Sequence, residues 1–142
     1  MINWDAPSFG LPVAIAVKIQ RGDPTPLTTL TATPSATTVA LGATFTISTR
    51  VSNTAYEAYG VHLSLPEMPP GVTLLDVSTT REDGVTMSFA NALGLTLGSI
   101  VEGDGRTAIW RFRVDTAGPK TFRFRSWSDN GGTRFASSTI NP

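Results

Sequence analysis

The sequence contains no cysteine and a single histidine, His62. The first absence excludes disulfide frameworks, thiol nucleophiles and cysteine-based zinc sites, and the second removes most routes to histidine-dependent catalysis and multi-histidine metal centres. Charge is scarce as well. Asp, Glu, Lys and Arg make up 15% of the 142 residues, and eleven acids balance eleven bases, where an ordinary soluble domain carries about a quarter. Zero net charge removes the basic field that usually drives nucleic-acid binding, so no specific nucleic-acid partner is expected. Long apolar runs are missing too. The longest, Leu11 to Val17, is far below the roughly 20 residues that span a bilayer. It is preceded by Asp5 and by no Lys or Arg, which sets it apart from a secretion signal. Neither membrane insertion nor a cleaved leader is expected.

What the sequence does have is length enough for one domain with a real core, 13 Gly and 10 Pro, and a repeated period of two. Short runs of alternating apolar and polar residues, separated by Gly, Pro, Asn and Asp, read as antiparallel strands with one buried face. Phe45, Ile47, Thr49 and Val51 share a face, as do Val61, Leu63 and Leu65 before Pro66. Met68-Pro69-Pro70-Gly71 is a turn, and further strands are expected at Val72 to Val77 and Val85 to Phe89. Ala108, Trp110, Phe112 and Val114 form one inward set in a strand from Arg106 to Val114, and Phe122 and Phe124 another in Lys120 to Trp127. The short Asp115 to Pro119 connection predicts that these two strands form a hairpin. Asn130-Gly131-Gly132 then turns the chain into a last strand, Arg134 to Ile140. A first sandwich strand is expected around Leu27 to Thr33, and a short helical turn at Ser88 to Leu95. Ahead of these lie an arm with Ile2, Trp4 and Phe9 and an alternating edge strand, Val13 to Ile19. Residues 1–26 are therefore expected to form an N-terminal arm and edge strand. Residues 27–142 are expected to form an all-β sandwich of seven to nine strands.

Within Ala32 to Asn130 the motifs follow one another in a recognisable order. They are Leu41-Gly42, Val51-Ser52-Asn53-Thr54, Leu63-Ser64-Leu65-Pro66, Pro70-Gly71-Val72, Leu97-Gly98-Ser99-Ile100, Glu102-Gly103-Asp104-Gly105 and Trp110-Arg111-Phe112. This series resembles the Ig-like repeat domains of prokaryotic surface proteins, including the cell-adhesion-related CARDB type and the "conserved repeat" domains. The resemblance implies an Ig-like antiparallel sandwich acting as a non-catalytic spacer or adhesion module, and it carries over no catalytic residue.

Charge is segregated along the chain. Between residues 106 and 134, seven bases (Arg106, Arg111, Arg113, Lys120, Arg123, Arg125, Arg134) face two acids (Asp115, Asp129), a balance of +5, so the remainder sums to −5. On the expected hairpin, Arg111, Arg113, Arg123 and Arg125 share one face, and like charges across a strand pair call for counter-charges. Acids of the chain's own strands or solvent would be the ordinary answer. A docking face for an acidic protein is the functional one, and nine Arg against two Lys favours it, because guanidinium suits desolvated bidentate contacts. The arm either folds back onto its own sandwich or reaches into a neighbouring molecule, for which Trp4 and Phe9 are the candidate anchors. Trp127 falls on the arginine side of its strand and is placed to stack on Arg125 or on a partner.

Catalytic candidates are weak. Glu82 and Asp83 are adjacent in a turn-like stretch, Ser64 and His62 share a strand face without a third member, and Asp104 lacks the alternating oxygen ligands of a calcium loop. Arg21-Gly22-Asp23 spells an integrin-binding tripeptide too short to carry weight. No catalytic residue, metal or cofactor is expected. The sequence thus predicts a structural protein that docks on a larger protein assembly, as a capsid or accessory subunit of a phage-like virion. The alternative is an adhesion or spacer module at a prokaryotic surface or in a secreted protein. Self-association and a carbohydrate-binding accessory role stand behind these two, the latter needing an aromatic platform built from Trp4 and Trp127.

Overall fold

The computed structural model of the protein describes residues 25–80, 86–89 and 93–141. The expected arm with Trp4 and Phe9, the Val13 to Ile19 strand, Arg21-Gly22-Asp23 and Glu82-Asp83 lie outside the described residues. These form nine strands: β1 (Thr28–Pro34), β2 (Thr44–Asn53), β3 (Ala58–Ser64), β4 (Val72–Thr80), β5 (Thr86–Phe89), β6 (Gly94–Ile100), β7 (Gly105–Val114), β8 (Lys120–Trp127) and β9 (Thr133–Ile140). Pairing between these strands is antiparallel and gives a five-stranded sheet, β1-β2-β7-β4-β5, packed on a four-stranded sheet, β6-β3-β8-β9. Of the helical turn expected at Ser88 to Leu95, the two ends are strand, Ser88 and Phe89 closing β5 and Gly94 and Leu95 opening β6, and residues 90–92 lie outside the described residues.

The core lies between the sheets, where the period of two places it. Ile47, Val51, Leu63, Trp110, Phe112, Phe122 and Phe124 are fully enclosed and Phe45 nearly so. Their rings meet across the gap: Phe112 on Phe122 with centroids 4.6 Å apart, Trp110 on Phe124 at 5.2 Å, and Phe45 on Phe122 at 5.6 Å. Each such pair adds about 0.5–1.5 kcal/mol to the burial of its area. One polar chain runs through this apolar layer. The Trp110 indole N–H donates to Thr49 Oγ1 at 2.9 Å, and the Thr49 hydroxyl donates to the Ala108 carbonyl at 3.1 Å, so neither buried group is left unpaired.

Those ring contacts also overturn the expected hairpin. β7 pairs with β2 and β4, whereas β8 pairs with β3 and β9, so Asp115 to Pro119 is an arch from one sheet to the other. The arch is tied down at Gly71, whose carbonyl accepts from the backbone N–H of Asp115 (2.9 Å) and Thr116 (3.2 Å). Lys120 Nζ closes it from inside, donating to Thr116 Oγ1 (2.8 Å) and the Ala117 carbonyl (3.2 Å). Gly71 holds φ +77°, and a Cβ there would collide with the Thr116 hydroxyl. The Pro-Pro-Gly turn is thus part of the same joint.

On one flank β9 seals the sandwich by capping the free edge of β1 with side chains. Arg134 Nε donates to the Thr28 carbonyl and Ser138 Oγ to the Ala32 carbonyl, both at 2.8 Å. An edge strand whose carbonyls are occupied is a poor template for pairing with another chain.

Candidate functional site

Because β7 and β8 belong to different sheets, their arginines lie on opposite outer faces of the sandwich. The single four-arginine face expected from the sequence does not exist, and the two pairs have different surroundings.

On the five-stranded sheet, Arg111 and Arg113 point outward from β7 between neighbours that supply acids. Arg111 Nε donates to Asp76 Oδ2 of β4 at 3.2 Å, and its Nη2 reaches the same oxygen. Arg113 Nε donates to Asp115 Oδ1 at 2.7 Å and its Nη2 to Thr73 Oγ1 at 3.2 Å, while the Thr73 hydroxyl donates to the other Asp115 oxygen. These two arginines are neutralised within the chain. The Thr73 hydroxyl first, and then Arg113, hold the Asp115 carboxyl below the usual carboxylate range.

At one end of the sandwich the acidic Gly turn is organised in a similar way. Arg106, on an inward position of β7, donates from Nη1 to Asp104 Oδ2 at 3.1 Å and from Nη2 to the Ser99 carbonyl of β6 at 3.0 Å, linking the two sheets. The Gly105 backbone N–H first, then Arg106, lower the Asp104 carboxyl. Both carboxyls are depressed in the folded state. Their stabilisation is therefore present above the ordinary carboxylate pKa of about 3.9 and is lost as pH falls below it through the folded values. Carbonyl-detected NMR titration should find Asp104 and Asp115 titrating below the exposed carboxylates of the same chain.

The four-stranded sheet is different. Alternation along β8 turns Thr121, Arg123, Arg125 and Trp127 outward, and registration with β3 and β9 sets His62 opposite Trp127, Ser64 opposite Arg125 and Phe135 opposite Arg125. The Arg123 guanidinium lies 4.4 Å from the ring centre of Phe135, which is 52% exposed. Arg125 lies 4.3 Å from the ring centre of Trp127, and the His62 ring stacks on the same indole at 5.0 Å. Among the described residues no carboxylate lies within ion-pair distance of Arg123 or Arg125. Two cations therefore sit on aromatic rings on one sheet face with no carboxylate of the described residues in ion-pair contact. Cation–π contacts of this kind supply about 0.5–1 kcal/mol at exposed sites and hold the guanidinium plane in a defined orientation.

His62 stands in a row with Thr96 Oγ1, 3.4 Å from Nδ1, and Asp129 Oδ1, 3.8 Å from Nε2. The composition is that of a hydroxyl–imidazole–carboxylate relay. Both contacts are longer than the roughly 2.6–3.2 Å of an assembled relay, and the imidazole is packed against Trp127 on an open sheet face. Ser64, the hydroxyl singled out beside His62, makes no bond to it. Among the described residues no group of three or more His, Asp or Glu is gathered to hold a metal ion.

Of the predicted site residues, Arg123 and Arg125 meet on one face, Arg111 and Arg113 lie on the other, and Trp4 and Phe9 are outside the described residues. The stacking expected between Trp127 and Arg125 is present. Phe135 and the lone His62 complete the face and were not assigned to it from the sequence. The signal for Phe135 was parity: Ile140 is buried, so Phe135, an odd number of residues away, faces outward.

No protein-family model matches the sequence, and no curated protein matches it significantly. Solved structures do. The crystal structure of a CARDB domain from Pyrococcus furiosus, in complex with di-metal ions, superposes with a TM-score of 0.55 at 10% identity, covering 82% of this chain and 88% of that one. The solution structure of the same domain gives 0.51 at 8% identity, covering 82% and 94%. At these identities the likeness is one of fold. Nine antiparallel strands in two facing sheets, with the motif series in place, give this chain the CARDB-like, Ig-type β-sandwich fold.

Proposed function

We propose that the chain is a non-enzymatic docking module that engages an acidic protein partner through the outer face of the β6-β3-β8-β9 sheet. The observation that carries this is the unequal treatment of its arginines. Arg111 and Arg113 each have an aspartate, whereas Arg123 and Arg125 have rings beneath them and, among the described residues, no acid within ion-pair distance. Arginine and large aromatics are the residue types that dominate interface hot spots. The setting proposed first is a virion, with the chain as an accessory subunit on a protein shell. A prokaryotic surface or secreted adhesion module is the alternative, supported by the CARDB-like fold.

The two arginine pairs supply matched variants. Arg123→Glu/Arg125→Glu should abolish retention of partner protein from extracts of the source organism, and Arg111→Glu/Arg113→Glu should leave it intact. Retention should also weaken steeply with salt, as exposed charge pairs are screened within about 8 Å at physiological ionic strength. Equal retention by both variants, with both folded, would refute the assignment of this face.

A further inference from the structure

Resting on that reading, we infer that the partner presents an extended acidic segment whose carboxylates alternate with other residues, so that two successive carboxylates on one side of the segment meet Arg123 and Arg125. The spacing comes from β8 itself. The two arginines are two positions apart on one strand face, about 6.6 Å along the strand, the same interval at which an extended peptide repeats side chains on one side. Both guanidinium groups lean toward the C-terminal end of β8. Arg125 reaches the ring two residues further on, and Arg123 reaches across to Phe135, whose register partner is Arg125.

Each guanidinium carbon lies over a ring, Arg123 over Phe135 and Arg125 over Trp127, and because Arg125 Nε is buried without a hydrogen-bond partner, a ligand would meet Arg125 through its terminal nitrogens. A planar fork of N–H donors matches a carboxylate bidentately. Charge complementarity is local, because no carboxylate of the described residues pairs with either arginine. The whole chain has zero net charge, so a long polyanion such as single-stranded nucleic acid would gain little beyond these two contacts, whereas two placed carboxylates use both.

The probes are two synthetic peptides of one composition, Glu and Thr. In one, successive Glu are separated by a single Thr, which puts them on the same side of an extended chain. In the other they are separated by two Thr, which puts successive Glu on opposite sides. Oligothymidylate is the third probe. Titration into the full chain, followed by amide and indole shifts, should show the alternating peptide binding at least about tenfold more tightly than the other, a difference of about 1.4 kcal/mol. Shifts should centre on Arg123, Arg125, Trp127 and Phe135, and Arg123→Glu/Arg125→Glu should remove them while the spectrum stays folded. Equal binding of the two peptides would overturn the spacing, and binding of oligothymidylate with neither peptide would overturn the protein partner. If both peptides fail while extract retention still depends on Arg123 and Arg125, the docking face stands and the alternating acidic segment does not.

Discussion

Replacing Trp110 with Ala should lower the unfolding free energy by about 3–5 kcal/mol, the cost of a large-to-small change at a site that cannot collapse. The side chain is fully enclosed, with Phe124 across the sheet gap at 5.2 Å and Thr49 Oγ1 beneath its indole N–H. For a domain of this size the loss corresponds to a fall in Tm on the order of 10–20 °C. Two parts of the cost can be separated. Trp110→Phe keeps most of the ring volume but takes away the donor that Thr49 accepts. Thr49→Val keeps the shape and leaves the indole N–H and the Ala108 carbonyl without their side-chain partner, at about 1–3 kcal/mol. Denaturant unfolding of the three variants should rank Trp110→Ala as the most damaging. A loss below about 1 kcal/mol for it would mean that the aromatic layer does not hold the sheets together.

The same residues show what could be read from the chain alone. Which side chains point inward was legible, because alternation in Phe45 to Val51, Ala108 to Val114 and Phe122 to Phe124 leaves one apolar face per strand. Which strands are neighbours was not. A five-residue connection between two strands with inward aromatics reads equally well as a hairpin or an arch, since Val114 and Lys120 are inward in either. The choice is made by contacts distant in sequence: Gly71 binding the arch, and Phe112 and Trp110 finding Phe122 and Phe124 across the gap. That choice decides the site. One hairpin would have crowded four arginines together; two sheets separate them into a pair with aspartates and a pair without.

Asp76 illustrates the same limit. Nothing in the local sequence ties it to Arg111, and the partnership depends on the bulge between Leu74 and Asp76 that sets the register of β4 on β7. The face of β8 was legible in part, since Trp127 and Arg125 share a parity. The contributions of Phe135 and His62 needed the pairing of β8 with β9 and β3.

Asn53 carries the other large expected effect, and its place in the motif Val51-Ser52-Asn53-Thr54 has a physical cause. Its side chain is 1% exposed and makes four hydrogen bonds. Nδ2 donates to the carbonyls of Tyr56 (2.7 Å) and Ile100 (2.9 Å), and Oδ1 accepts from the backbone N–H of Leu27 (3.1 Å) and Ala55 (3.2 Å). Its own backbone binds Asp104 and Gly103, so one residue joins the entry to β1, the β2–β3 turn, the end of β6 and the acidic Gly turn. Only an amide supplies two donors and two acceptors in that volume. Asn53→Ala should cost about 3–5 kcal/mol, because buried backbone groups lose partners that no other side chain replaces. Asn53→Asp is the sharper test. It keeps the shape and the two accepted bonds but aims a carboxylate at two carbonyls, so burial and repulsion favour its protonated form. A carboxyl whose pKa is raised by folding contributes stability below its unfolded value of about 3.9 and loses it as pH rises through the folded value. Asn53→Asp should therefore recover part of its deficit in acid, where its single O–H replaces one of the two donated bonds, and fall well below the parent at neutral pH, while the deficit of Asn53→Ala stays level. Thermal unfolding of both variants from pH 4 to pH 8 gives the comparison, and parallel curves would show that the four bonds at Asn53 are not what joins this end of the sandwich.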